Sequence, residues 1–191
     1  MKRIILIAGL IAFSQAASAH TGLLPTDAFS HGFQHPFLGL DHFLAMLGLG
    51  LWASSQSRLL AQQAIGLFLL FMATGALLGL AGFGFAYVET AIFVSLLLVG
   101  IALSLGTARL PTAVILTSIA AFAAMHGLAH GSEMPVHASA YAYIAGIVSG
   151  TAVLHCSGVA LGLIAKRVNA ANLIRVYGTM TGLIGTWLLF A

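Results

Sequence analysis

The chain has 191 residues, 60% of them hydrophobic and 6% charged, with a formal net charge of +3. A soluble domain carries about 25% charged residues, so an ordinary water-soluble globule is excluded. The few basic residues are scattered rather than clustered, which excludes a nucleic-acid partner. The length suits one compact unit, and the composition suits an all-α membrane protein, because lipid demands long apolar helices whose backbone groups are paired internally. Cys156 is the single cysteine, so neither an internal disulfide nor a Cys-rich zinc or iron–sulfur site can form. Eight histidines stand against four carboxylates, an unusual excess in a chain that tolerates so little charge.

Residues 1–19, MKRIILIAGLIAFSQAASA, have the pattern of a signal peptide. Lys2 and Arg3 form a basic start, 4–13 a short apolar run, and Ala17-Ser18-Ala19 a small-residue cleavage site. Cleavage there leaves His20 as the new N-terminus, where a free α-amine beside an imidazole can chelate a divalent metal. The mature domain is then 20–191.

Six apolar segments follow, over about 36–53, 60–81, 87–105, 111–130, 138–165 and 173–190. Each is near the roughly 20 residues that cross hydrocarbon; the fifth is longer and is expected to tilt or emerge. With residue 20 outside, Arg58, Arg109 and the group Lys166, Arg167 and Arg175 fall in or beside the three inward connections. Glu89 and Glu133 fall by the outward ones. The positive-inside bias therefore agrees with the signal peptide and predicts a six-helix bundle with both termini outside, in the inner membrane of a bacterium. Gly75/Gly79, Gly146/Gly150, Gly158/Gly162 and Gly178/Gly182 are small-xxx-small pairs that let helices approach closely. Three helices plus three also fit an inverted repeat, although no internal sequence identity supports one.

Two polar motifs interrupt this pattern. The first, HGFQHPFLGLDHFLAM over 31–46, opens the first span. Pro36 suits the first turn of a helix, which puts His35 at the helix entrance and His42 two turns below on the same face. Asp41 then lies roughly 8 Å inside the helix start, at 1.5 Å per residue. An ionised carboxylate there is unfavourable without a partner or a cation. The second motif, MHGLAHGSEMP over 125–135, closes the fourth span. His126 and His130 share a face at i, i+4, a good geometry for one metal ion, and Glu133 extends that stripe if the helix continues. Gly127 and Gly131 form a parallel stripe that admits a neighbouring helix. The first and fourth spans run in opposite directions, so both motifs are expected at the outer face, around one ion.

At these residues the chain resembles the HupE/UreJ family of nickel/cobalt permeases. HPFLGLDH resembles that family's H-x5-D-H motif, and MHGLAHGSE resembles FHGx[AV]HGxE, with Met125 in place of phenylalanine. The resemblance extends to the signal peptide, the His-Thr-Gly after it and the six-helix layout. It implies His35, Asp41, His42, His126, His130 and Glu133 as the functional residues. It also implies uptake of Ni²⁺, or Co²⁺, as cargo, with a link to hydrogenase or urease maturation and no catalytic cofactor.

Imidazole with carboxylate suits Ni²⁺, Co²⁺, Zn²⁺ and Cu²⁺ and not Ca²⁺ or Mg²⁺, which take oxygen ligands. Met46, Met125 and Met134 lie near the motifs, either as packing or as softer ligands. His155 and Cys156, in the inner half of the fifth span, are read either as an inner stopping point or as helix packing. His31 and His137 are read as surface residues that collect metal or simply face solvent. Three other functions are open: an intramembrane zinc-dependent hydrolase with Glu133 or Asp41 as base, a bis-histidine haem protein, and a non-transporting metal-binding assembly partner. The absence of G-x4-G-K-[ST] excludes a P-loop nucleotide-driven pump within the chain.

Overall fold

The computed structural model describes residues 28–105, 110–135 and 138–191. The segment 1–27, with the expected signal peptide and His20, lies outside the described residues, as do Arg109 and His137. The described residues form seven α-helices and no strand: α1 Ala28–Leu38, α2 Leu40–Ala53, α3 Arg58–Leu80, α4 Val88–Leu105, α5 Thr112–Ser132, α6 Ala140–Arg167 and α7 Ala171–Phe190. Helices α3 to α7 are each long and apolar enough to cross a membrane. α1 and α2 pass the same test only together, as one broken span bent by 81°. The described residues therefore hold five helices able to span a membrane and one bent pair, a broken span or a re-entrant loop, as in a multi-pass membrane protein.

That break corrects the expected start of the first span. Pro36 lies in the last turn of α1 rather than in the first turn of a helix beginning there. The residues before it, which look too polar to be inserted, are helical because Phe29, Phe33 and Phe37 stack in succession, with ring centroids 6.2 and 5.7 Å apart. Gly32 in the same helix meets the backbone of Tyr143 in α6. Pro36 supplies no N–H to continue the helix ladder, and Gly39 turns to an extended conformation (φ −83°, ψ 119°) before α2 begins. A side chain at Gly39 would sit tightly against Asp41 Oδ1 and His42 Nδ1, at 3.0 and 3.1 Å. His35 and His42 thus sit on two different helices, not two turns apart on one face.

The remaining helix ends lie within a few residues of those expected from the sequence. Ser57 and Ser139 cap α3 and α6 by accepting hydrogen bonds from the N–H groups of Leu60 and Ala142. At 28 residues α6 is long enough to hold α1 against its first half and α2 against its second. Three glycine-lined seams build the bundle: α2 runs parallel to α6, α3 parallel to α5, and α4 antiparallel to α7. The tightest approach puts Gly127 of α5 against the carbonyl of Met72 in α3, and in the α2–α6 seam Gly50 meets the carbonyl of His155. All four expected glycine pairs lie in these seams or between α1 and α6.

These directions put the turn after α3 (81–87), the end of α5 and the C-terminus at one end, with Glu89 and Glu133. Arg58, Lys166 and Arg167 lie at the other end. There the Lys166 ammonium donates to the carbonyl of Ser54 at 2.7 Å, tying the end of α6 to the turn after α2.

Candidate metal centre

The bend at Gly39 carries His35, on α1, back over the start of α2, so that it faces His42 with ring centroids 6.0 Å apart. The end of α5 meets both. His130 lies 4.7 Å from His35 and 4.5 Å from His42, and His126, one turn deeper, lies 5.2 Å from His42 (ring centroids). Helix α5 stops at Ser132, and Glu133 caps it. The carboxylate is therefore off the helical stripe, yet it reaches His35, with Nε2 to Oε2 at 3.3 Å. That hydrogen bond holds the Glu133 carboxyl below the ordinary carboxylate range. His35, His130 and Glu133 each offer a ligand atom within 4.8 Å of the other two. All six residues expected from the two motifs are brought together at the same end of the bundle.

The surrounding hydrogen bonds decide which nitrogens are available. Asp41 Oδ1 accepts from the backbone N–H of His42 at 2.8 Å and also lies 2.8 Å from His42 Nδ1. A carboxylate can only accept, so Nδ1 carries the proton and Nε2 keeps its lone pair. His126 Nδ1 lies 2.9 Å from the carbonyl of Phe122, which fixes the same tautomer. Orientation of an imidazole through its far N–H is the usual support for a metal-binding histidine. The Nε2 atoms of His42 and His126 and both ring nitrogens of His130 are buried without a hydrogen-bond partner among the described residues. Leaving such groups unpaired costs about 1–3 kcal/mol each, and a cation among them removes that cost.

The site is graded from surface to core. The side chains of Glu133 and His35 are 54% and 27% exposed, whereas His126 and His130 are fully buried. Glu133 also borders a surface cleft shared with Glu89 and Ser132. His31 is exposed and stacks near Tyr143 and His35, at ring centroids of 6.1 and 6.5 Å. Tyr143 is fully buried and borders His35 at 6.4 Å. It went unread in the sequence, since nothing marks one tyrosine among the apolar residues of a long helix.

His155 lies apart from this group and is fully buried, but Cys156 is exposed. The two do not form a pair, because successive residues on a helix point about 100° apart. Of the three methionines near the motifs, Met46 is fully buried beside Thr151, and Met134 packs on the core.

Comparison with known proteins places the chain in a family. The family model described as HupE / UreJ protein matches residues 8–188. The chain belongs to the HupE/UreJ family. Protein HupE of Rhizobium leguminosarum bv. viciae is 35% identical over 181 residues, which covers 94% of this chain and 93% of that protein. No solved structure matches the chain. The two stretches that carry the resemblance lie at one end of the bundle: HPFLGLDH across α1 and α2, and MHGLAHGSE at the end of α5.

Proposed function

We propose that this HupE/UreJ protein is an inner-membrane permease that takes up a divalent transition-metal ion, nickel first and cobalt second, for metalloenzyme maturation. The observation that carries the reading is the convergence of His35, His130 and Glu133 within 4.8 Å, beside buried imidazoles with unshared lone pairs. Imidazole and carboxylate together suit Ni²⁺ and Co²⁺. The ion is cargo here, not a resident cofactor.

In this reading the carboxylate-bearing end faces outward and the basic end faces the cytoplasm, following the positive-inside bias. The ion is first met at the half-exposed Glu133 and His35, and passes to His130, His42 and His126 as its water is replaced by nitrogen. Asp41 orients His42 and offsets part of the cation's charge. Five candidate ligands arranged in depth, with Asp41 behind His42, let an ion exchange partners as it moves, and moderate affinity is what permits release. His20, at the start of the expected mature chain, would add a chelating group at the outer surface.

The test is ⁶³Ni²⁺ and ⁵⁷Co²⁺ uptake by the full chain in proteoliposomes. Accumulation well beyond one bound ion per protein is the expected result. Binding without accumulation would instead make the protein a metal-holding assembly partner, and release of a cleaved lipid or peptide would make it a hydrolase.

A further inference from the structure

The three seams of the bundle are related by an internal symmetry that the sequence conceals. In one seam Gly50 meets the carbonyl of His155, and Gly158 meets the carbonyl of Leu47 and the N–H of Leu51. In another Gly127 meets the carbonyl of Met72, and Gly75 meets the carbonyl of Ala124 and the N–H of Leu128. These contacts correspond one to one when α2 is matched to α5 and α3 to α6. Gly50 then corresponds to Gly127, Gly75 to Gly158, and Met72 to His155. The third seam maps onto itself, because Gly178 against Leu103 corresponds to Gly185 against Leu96, with Gly100 against Gly182 between them. The matched helices run in opposite directions. The bundle is therefore two inverted three-span halves, the arrangement in which transporters place their substrate site at the repeat interface near the bilayer centre.

The side chains on that interface are polar and thioether groups. Phe68 touches His155 with ring centroids 4.9 Å apart. The symmetry-matched contact is Met72 against Thr151, whose Oγ1 lies 3.6 Å from Met72 Sδ. Thr151 Oγ1 also lies 3.1 Å from Met46 Sδ. Met46, Met72, Thr151 and His155 are all 0% exposed. His155 Nδ1 lies 2.8 Å from the carbonyl of Met46, which holds its proton there and leaves Nε2 with the lone pair. That Nε2 is buried with no hydrogen-bond partner among the described residues. Phe68 also borders His126 of the outer group, at 5.8 Å between ring centroids. This cluster is thus the next set of donor atoms below the metal centre.

We infer that His155 Nε2, with the thioether sulfurs of Met46 and Met72, forms a second transition-metal site at the interface of the two halves, one step inward from the carboxylate-bearing centre. Its donors are uncharged, so it holds a divalent ion more loosely than the outer group does. A stopping point must be loose if the ion is to leave. Thioether and imidazole donors suit borderline and soft transition ions and reject Ca²⁺ and Mg²⁺, so the site filters what the outer carboxylates admit. Thr151 holds the two sulfurs in place. As a step of transport, this site rests on the permease reading above; as a binding site it stands on its own donors.

The experiment uses the full chain in proteoliposomes with ⁶³Ni²⁺, comparing the wild type with the volume-conserving double variant Met46→Leu/Met72→Leu and with His155→Gln. Equilibrium binding of the first nickel is expected to stay within twofold of the wild type while uptake falls at least fivefold in both variants. Wild-type uptake rates in the variants would overturn the inner site and leave the permease standing. If the wild type itself accumulates no nickel, the permease reading fails, and X-ray absorption of the protein loaded with excess nickel decides the site separately. A sulfur shell in the wild type that Met46→Leu/Met72→Leu abolishes sustains the site, and a spectrum with nitrogen and oxygen alone overturns it. Met72→Leu by itself carries both measurements should either of the other variants fail to insert.

Discussion

His42 and His130 are 88 positions apart in the sequence (130 − 42), yet their rings lie 4.5 Å apart, inclined by 49°. Neither His42 Nε2 nor either nitrogen of His130 has a hydrogen-bond partner among the described residues. Two buried imidazoles so close, each short of a partner, are held apart by nothing except packing. A shared cation is the simplest chemistry that satisfies both. Replacing either residue by alanine is expected to lower ⁶³Ni²⁺ uptake at least a hundredfold, with the protein still inserted and monodisperse in detergent. Uptake within a few fold of the wild type in His130→Ala would remove that residue from the path.

Asp41 acts through His42. Both of its contacts, at 2.8 Å, are to that residue, so its loss should free the imidazole to rotate and change tautomer. Asp41→Asn is expected to weaken nickel binding by about 10–100-fold, the usual effect of removing a group that orients a metal-bound histidine. Equilibrium dialysis checks this, and unchanged affinity would show that the pair is structural.

Acidification should release the metal through the imidazoles and not through Glu133. The hydrogen bond from His35 holds the Glu133 carboxyl low, so this carboxylate stays ionised as the pH falls toward 5. Protonated imidazole cannot ligate, so nickel binding is expected to weaken on acidification, with the same shape of pH dependence in Glu133→Gln as in the wild type. A pH dependence that disappears in Glu133→Gln would contradict this order.

The glycine seams give a stability prediction with its own control. A Cβ on Gly127 would collide with the backbone of Met72, whereas one on Gly66 would meet nothing within 4 Å. Gly127→Ala is expected to destabilise the protein by about 1–3 kcal/mol, the range for overpacking a close contact, while Gly66→Ala leaves thermal unfolding in detergent unchanged. Equal melting of the two variants would mean that the α3–α5 seam is looser than described.

Much of this architecture was legible in the sequence. Apolar length fixed five of the six spans to within a few residues, because lipid leaves a helix few places to end. The six motif residues were legible because an ionisable group within an apolar helix stands out. The broken first span was not. Residues 28–35 mix Ser, His and Gln with apolar residues, and only the i, i+4 run of Phe29, Phe33 and Phe37 signalled the short helix that folds His35 over His42. The inverted repeat was illegible as identity because it is kept as backbone contact, with Met72 matched to His155 and little shared beyond the seam glycines and a few leucines. His155 pointed to the inner cluster in the sequence, but paired with the exposed Cys156 rather than with Thr151 and the two methionines.

Topology is the next expectation. A reporter fused after Ala191 should read as periplasmic, and one placed in the turn after Arg167 as cytoplasmic, if the basic end faces inward. The reverse pattern would invert the route proposed for the ion.

The most direct measurement of the central claim is anomalous diffraction at the nickel edge from crystals of the protein grown with Ni²⁺. The account predicts one strong peak among His35, His130 and Glu133, about 2.1 Å from the imidazole nitrogens, the distance found for comparable ions. A protein that binds nickel in solution but shows its peak elsewhere, with these three side chains unliganded, would contradict the account.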